Sequence, residues 1–450
     1  MGKHNIEKKS LGYSLLHKII WFWHNIVFYR KIVLINKQNI PENANVIFTP
    51  NHQNALMDAL ALLFTIKRQL VFMARSDIFK KNKIANILYF LKILPIYRIR
   101  DGFDSLKKNE EIFAKTVDVL KEGNGLVILP EGNHSGKRKL RPLKKGFARI
   151  ALQTEESHNF SLDLKIVPVG IDYSDYESFR SVLTLNFGEP INVSEYYEIY
   201  KQNAPVALNQ LKDKLSESLK KVMINVESDV YYDLYDNLRD IYSKSYCEKL
   251  GFENNKQPNK FNADKLLIEK LEVFEKEHPQ EIKSLNTTVK KYLNALKSVN
   301  ISTLHFEKKQ KSFFILLLQS TTFVVLSPIY VIGIVLNILP FQISLFATKI
   351  FKDRQFFSSV KLLVSFLMFP IFYLLETLIY SAFDVQQFPW IYFLLSMPLL
   401  GIITWTLHNF ASKLKINWRL FLLKTRKPKV YKLIMTMFDS IIAKTDEITS

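Results

Sequence analysis

The chain has 450 residues, of which 48% are hydrophobic and 13% aromatic, enough material for two or three domains with substantial cores. A formal net charge of +20 points to a polyanionic partner: nucleic acid, an anionic membrane face or a phosphorylated substrate. The single cysteine, Cys247, excludes an intramolecular disulfide and an all-cysteine zinc site.

Residues 1–35 open with "MGKHNIEKKS" and continue with "LGYSLLHKIIWFWHNIVFYRKIVLI". No small-residue cleavage site follows the apolar part, so no cleaved signal peptide is expected. Trp21, Phe22, Trp23, Phe28 and Tyr29 lie among His17, Lys18, Arg30 and Lys31. That mixture predicts an amphipathic helix lying in a membrane interface, with a core-packed first helix as the alternative.

From 36 to 225 the pattern alternates. "NVIFTP" reads as a buried strand and "ALMDALALLFTI" as a helix. "QLVFMAR" and "LPIYRIR" are predicted strands, and "DSLKKNEEIFAKTVDVLKEGNG" a helix closed by a glycine turn. "GLVILPEG" is a strand running into a loop, "PLKKGFARIALQTEE" a helix, and "LKIVPVGIDY" and "SVLTLNFGEPINV" strands. Strands alternating with helices predict an α/β domain whose sheet is largely parallel and flanked by helices.

Residues 226–311 are polar and helical in composition and predict a connector, with "GFENNKQPNKFNAD" as a loop. Residues 312–450 predict an α-helical membrane region with a basic tail. Stretch 312–348 has no charged residue, 362–383 only Glu376, and 388–410 none apart from His408 when ionised. The last two are each about long enough to span once, at roughly 20 residues per span. The first is broken by Pro328 and Pro340 and is predicted as a re-entrant or interfacial helical hairpin, with one crossing by residues 312–340 as the alternative. Lys413, Lys415, Arg419, Lys424, Arg426, Lys427 and Lys429 place the tail on the cytoplasmic side.

Three stretches carry candidate chemistry. In "PNHQNALMD" His52 follows a strand and precedes a helix, where α/β proteins place reactive groups. Asp58 can orient its imidazole, but six helical residues turn roughly 600°. The two meet only if His52 sits in the turn before the helix; otherwise they are an unrelated pair. In "LPEGNHSGKRKLRPLKKG" a loop of Asn133, His134, Ser135 and Gly136 precedes a run in which six of the nine residues 137–145, Lys144 included, are basic. This is a phosphate site or a solvated basic loop. In "LPIYRIRDG" Arg98 and Arg100 end a strand, to bind phosphate, cap a helix or pair with an acid.

In order and spacing, "NHQNALMD", "LPIYR", "LPEGNHS…PLKKG" and "IVPVGI" resemble the four blocks of the glycerolipid acyltransferases, the phospholipid and glycerol-phosphate acyltransferase superfamily. The resemblance covers about residues 10–225 and implies a glycerol-phosphate acyltransferase-like domain at 36–225. It implies that His52 is the general base and Asp58 its orienting carboxylate. It implies that Arg98, Glu131 and Gly132 belong to the acceptor blocks, with the 131–135 loop around the phosphate, and that Pro168 lies on the acyl-donor side. Two departures stand out. Five residues, not four, separate His52 from Asp58, and Asn133 and His134 replace the usual threonine and arginine. Both look like the branch of glycerol-3-phosphate and dihydroxyacetone-phosphate acyltransferases, as do "FRSVLTLNFGEPI" and the apolar C-terminal block.

The activity so implied is acyl transfer from a thioester, acyl-CoA or acyl-ACP, to a hydroxyl of glycerol-3-phosphate, its 1-acyl derivative or dihydroxyacetone phosphate, at an anionic bilayer with the catalytic domain facing the cytoplasm. No cofactor or metal is expected: there is no P-loop, G-x-G-x-x-G, G-x-S-x-G or metal-ligand cluster. Nucleic-acid binding is the rival suggested by charge, without a recognised motif. A transporter or scaffold is the rival suggested by the apolar segments, with one intramembrane acid to serve it, Glu376.

Overall fold

All five residues of Val46–Pro50 are buried, as a strand covered on both faces requires, and this strand lies in the middle of the sheet. The computed structural model describes residues 6–97, 104–253, 257–303, 311–383 and 389–450. The chain divides into two compact units. One is Met1–Asn225 with Ile350–Leu362, and the other is Val226–Lys349 with Leu363–Ser450.

The strands of the first unit are β1 (Lys31–Ile35), β2 (Val46–Pro50), β3 (Leu70–Arg75), β4 (Ile93–Ile96), β5 (Gly125–Val127), β6 (Lys165–Tyr173), β7 (Val182–Phe187) and β8 (Ile191–Asn192). Among the described residues they form one sheet in the order β1-β7-β6-β2-β5-β3-β4, with β8 added to β6. The pairs β1–β7, β6–β2, β2–β5, β5–β3 and β3–β4 are parallel, and only β6–β7 and β6–β8 are antiparallel. The mixed, largely parallel sheet read from the alternating pattern is thus present. "SVLTLNFGEPINV" forms two strands rather than one, split at the Gly188–Glu189–Pro190 turn.

Helices α1 (Leu11–Phe22), α2 (Leu56–Leu63), α3 (Asn82–Phe90), α4 (Asp104–Lys121), α5 (Gly146–Glu156), α6 (Tyr197–Gln202) and α7 (Ala204–Val222) accompany the sheet. Two buried clusters result. In one, Phe147, Ile150 and Leu152 of α5 and Leu211, Leu215 and Leu219 of α7 pack with sheet residues Ile47, Val71, Leu126 and Ile166. In the other, Met57, Leu60 and Leu62 of α2 pack with Phe48, Phe72, Val127, Val167 and Phe187. Alternate side chains of the same strands feed the two clusters, as period-2 strands dictate. At Gly170 of β6 an added Cβ would collide with the Val222 carbonyl, so α7 closes on the sheet only where there is no side chain.

In the second unit, α8 (Tyr232–Lys249), α9 (Gln257–Glu277), α10 (Pro279–Ser298) and α14 (Pro428–Thr449) are amphipathic, with Leu238, Leu271, Leu285 and Ile441 buried. Among the described residues three helices are long and apolar enough to cross a membrane: α11 (Phe313–Thr348), α12 (Phe357–Ser381) with the turn before it, and α13 (Trp390–Arg426). Helices α11 and α13 meet where a Cβ on Gly333 would overlap the Thr404 hydroxyl, the close small-residue contact favoured between membrane helices.

Three expectations are corrected. The helix expected through residue 35 stops at Phe22, continues as a π-helical turn over Trp23–Phe28, and gives way to β1, whose β-branched "KIVLI" pairs with β7. Phe28 and Tyr29 are 1% exposed, so this end of the segment is core. The hairpin expected over 312–348 is one continuous helix of 36 residues. The carbonyl freed at Val324 by the missing N–H of Pro328 is taken by the Ser327 hydroxyl at 2.7 Å, which lets the helix run on. The C-terminal region is also not continuous as a unit, because Ile350–Leu362 belongs with the sheet.

Candidate active site

The carboxyl ends of the parallel strands β2, β3, β4 and β5 open on one edge of the sheet, the usual place for a ligand in an open α/β fold. A cavity of about 800 Å³ lies there. It is lined by His52 after β2, Arg75 at the end of β3, Ile96 and Tyr97 at β4, residues 128–133 after β5, and Lys144–Phe147 with Arg149 of α5.

His52 stands in the turn before α2, as its pairing with Asp58 requires. Asp58 is in the first turn of α2 and reaches back: its Oδ2 lies 2.9 Å from His52 Nδ1 and accepts from the Gln53 and Asn54 N–H groups at 2.7 Å each. Its Oδ1 accepts from the Tyr173 hydroxyl at 2.8 Å. An acid near a helix start that satisfies preceding N–H groups is a capping arrangement, here with an imidazole added. Within the turn between histidine and aspartate, Ala55 has a φ of 44°, unusual for a residue with a Cβ. The carboxylate fixes the proton on Nδ1 and leaves Nε2 to accept one. Asp58 is fully buried, and the His52 side chain is 14% exposed.

Glu131 also serves the histidine turn. One carboxylate oxygen accepts from the His52 N–H at 2.6 Å, the other from the Arg141 N–H at 3.0 Å. Burial pushes its pKa up to about 8, although both N–H groups favour the carboxylate. Gly132 then turns with a φ of 73°, a conformation that suits glycine. Gly136 donates its N–H to the Gln53 carbonyl at 3.1 Å, tying this loop to the histidine turn.

The other expected residues separate. Asn133 and Lys144 line the cavity. His134 lies behind His52, with ring centroids 5.0 Å apart and planes at 89°. Burial lowers its pKa, so it is a neutral ring at neutral pH rather than a cation for phosphate. Ser135 is half-buried and is not among the cavity residues. Pro168 lies buried within β6, opposite Thr49, and its carbonyl accepts from Gly188; it is not among the cavity residues either. Arg98 and Arg100 fall outside the described residues.

Four residues were not singled out from the sequence. Tyr173 holds Asp58, and its phenol is kept well above its ordinary pKa by burial and by that carboxylate. Arg138, part of the basic run, is buried, donating to Asp172 at 2.8 Å and to the Tyr173 carbonyl at 2.6 Å. Arg75 and Arg149 add positive charge to the cavity wall, Arg75 being paired with Asp77. The Tyr closing "IVPVGIDY" and the Arg closing "LVFMAR" were the available signals. Among the described residues no group of His, Cys, Asp or Glu is placed to hold a metal ion.

Residues 31–172 match the family model described as Acyltransferase. Glycerol-3-phosphate O-acyltransferase 1 of Saccharomyces cerevisiae is 28% identical over 142 residues, 31% of this chain and 19% of that protein. A 1-acyl-sn-glycerol-3-phosphate acyltransferase of Borreliella burgdorferi is 28% identical over 202 residues, 43% of this chain and 74% of that protein. The solved 1-acyl-sn-glycerophosphate acyltransferase of Thermotoga maritima aligns at 18% identity over 47% of this chain and 78% of that one, with a TM-score of 0.33. The matched stretch holds β1 to β5 and nearly all of β6, with His52, Asp58 and Glu131, so the residues of the candidate pair lie inside the part of the chain that matches the acyltransferase domain model.

Proposed function

We propose that this chain is a membrane-bound O-acyltransferase that moves a fatty acyl group from an acyl thioester to a hydroxyl of glycerol-3-phosphate. The observation that carries the reading is the His52–Asp58 pair, with His52 lining a cavity that has both basic and apolar residues in its wall. Lys144, Lys145, Arg149 and Arg75 supply the charge, and Met73, Ile78, Ile96 and Phe147 the apolar surface. Such a cavity suits a phosphate and an acyl chain together.

His52 Nε2 removes the proton of the acceptor hydroxyl as its oxygen attacks the thioester carbonyl. Asp58 stabilises the imidazolium that forms and keeps its orientation. Collapse of the tetrahedral intermediate breaks the C–S bond, and the imidazolium proton passes to the departing thiolate. The basic wall, with Arg98 as the resemblance implies, holds the phosphate so that the hydroxyl stays beside His52. The donor is acyl-CoA or acyl-ACP. The three apolar helices and the basic tail are consistent with an integral protein at an anionic leaflet, where the product would remain.

The test is acyl transfer by the protein in membranes or detergent, with glycerol-3-phosphate, 1-acylglycerol-3-phosphate and dihydroxyacetone phosphate as acceptors. Preference for glycerol-3-phosphate is expected. Preference for the 1-acyl compound would move the protein to the lysophosphatidate branch, and no acylation of any of the three would defeat the reading.

A further inference from the structure

The segment Ile350–Leu362, made of the connection after α11 and the first turns of α12, lies more than a hundred residues beyond β8 in sequence, yet it packs in the sheet unit. Leu362 is 1% exposed within the cluster that also holds α2. Arg354 donates to Glu177 Oε1 at 2.7 Å, Lys361 donates to the Glu177 carbonyl at 2.6 Å, and the Ser358 hydroxyl donates to the Tyr176 carbonyl. That carbonyl also accepts from the Asn54 side chain at 3.2 Å, and the Tyr176 hydroxyl donates to Gln53. The segment is therefore bonded to the partners of the histidine turn.

Its short turn Arg354–Phe356 presents two side chains to His134. The Gln355 side chain lies beside the imidazole. The Phe356 ring meets it at 4.8 Å between centroids with planes at 88°. His134 in turn meets His52 at 5.0 Å and 89°. Three rings thus stand edge to face in series, from the segment to the base. Edge-to-face contacts fix ring orientation as well as distance. Asp58 holds one nitrogen of His52, but a single hydrogen bond leaves a ring free to tilt.

We propose that Gln355 and Phe356 are positioning residues of the active site, which fix His134 so that its ring holds the His52 imidazole at the angle acyl transfer requires. The proposal rests on the acyltransferase reading for its kinetic consequence. It explains why a neutral histidine serves at position 134, since a ring is needed there as a support. It also makes the stretch between the apolar helices part of the catalytic apparatus rather than a passive loop.

The experiment uses the full chain with Phe356→Leu, Phe356→Tyr and Gln355→Ala. Phe356→Leu keeps apolar bulk, so the fold should persist, but it removes the ring. Its kcat should fall about 10-fold, with both KM values changed by less than about threefold, because small misplacement of a catalytic group slows chemistry more than binding. Phe356→Tyr keeps the ring and should restore kcat to within about twofold, whereas Gln355→Ala should lie between. A second measurement does not depend on turnover: the rate at which diethyl pyrocarbonate modifies His134, followed by mass spectrometry, should rise several-fold in Phe356→Leu. An unchanged modification rate in the folded variant overturns the proposal, and so does unchanged kcat. A wild-type protein without acyl transfer but with the expected reactivity change would defeat the acyltransferase reading while leaving the ring support standing.

Discussion

Asp58 Oδ2 lies 2.9 Å from His52 Nδ1 and at the same time accepts two backbone N–H groups from the turn between them. One carboxylate therefore both shapes the turn and orients the base, so the two residues differ in what their loss does. His52→Ala should lower kcat by about 10² to 10⁴ with little change in Tm. Asp58→Asn should lower kcat comparably and Tm as well, because Asp58 has four donors to satisfy. Near-normal turnover in folded His52→Ala would sink the mechanism.

Tyr173→Phe isolates the remaining donor. It removes one hydrogen bond to a buried carboxylate, worth about 1.5–3 kcal/mol. Stability by denaturant titration should fall by that amount, and kcat should fall by less than in Asp58→Asn, since the other three contacts remain. A fully stable variant would show that the hydroxyl contributes nothing to Asp58.

Glu131 predicts a pH dependence. Its pKa rises from 4.5 in the unfolded chain to about 8 in the folded protein. The folded state then holds a proton that the unfolded state has lost, so the stability linked to this group is full below pH 4.5 and declines as pH rises to about 8. Thermal melts across that range should show wild type losing stability relative to Glu131→Gln. Parallel curves would contradict the shift.

The basic wall should govern the acceptor. Lys144→Ala and Arg149→Ala should raise the acceptor KM by roughly 10- to 150-fold, the equivalent of one charge-assisted hydrogen bond, with a smaller effect on the donor. Arg98→Ala should act in the same direction. A change confined to the donor KM would assign these residues to the thioester side.

Orientation follows from charge. Lys349, Lys352, Arg354 and Lys361 cluster around the segment that packs in the sheet unit, and seven basic residues lie between 413 and 429. At 37 residues, α13 is about 55 Å long, more than one bilayer crossing needs, so a crossing by its apolar part would leave its basic end in water. With Cys247→Ser as background, Lys352→Cys and Lys429→Cys should both react with impermeant reagents from the cytoplasmic side alone. Labelling from opposite sides would refute a shared face.

What the amino-acid order determined by itself is what local pattern and motif carry. The alternation of buried runs and amphipathic helices, the four ordered blocks, and the apolar stretches after residue 311 are properties of neighbouring residues. So is the conditional statement that His52 and Asp58 meet only across a turn. Tertiary structure decided everything that joins distant residues: Tyr173 on Asp58 across 115 positions, Arg138 locking the third block to the end of β6, and Phe356 reaching His134 from a segment that composition assigned to the membrane region. It also turned Lys31–Ile35 into a strand, because a β-branched run becomes one when a partner, β7, is there to pair with it. Each of these depends on which partner the folded chain supplies, and periodicity within a window holds no information about that partner.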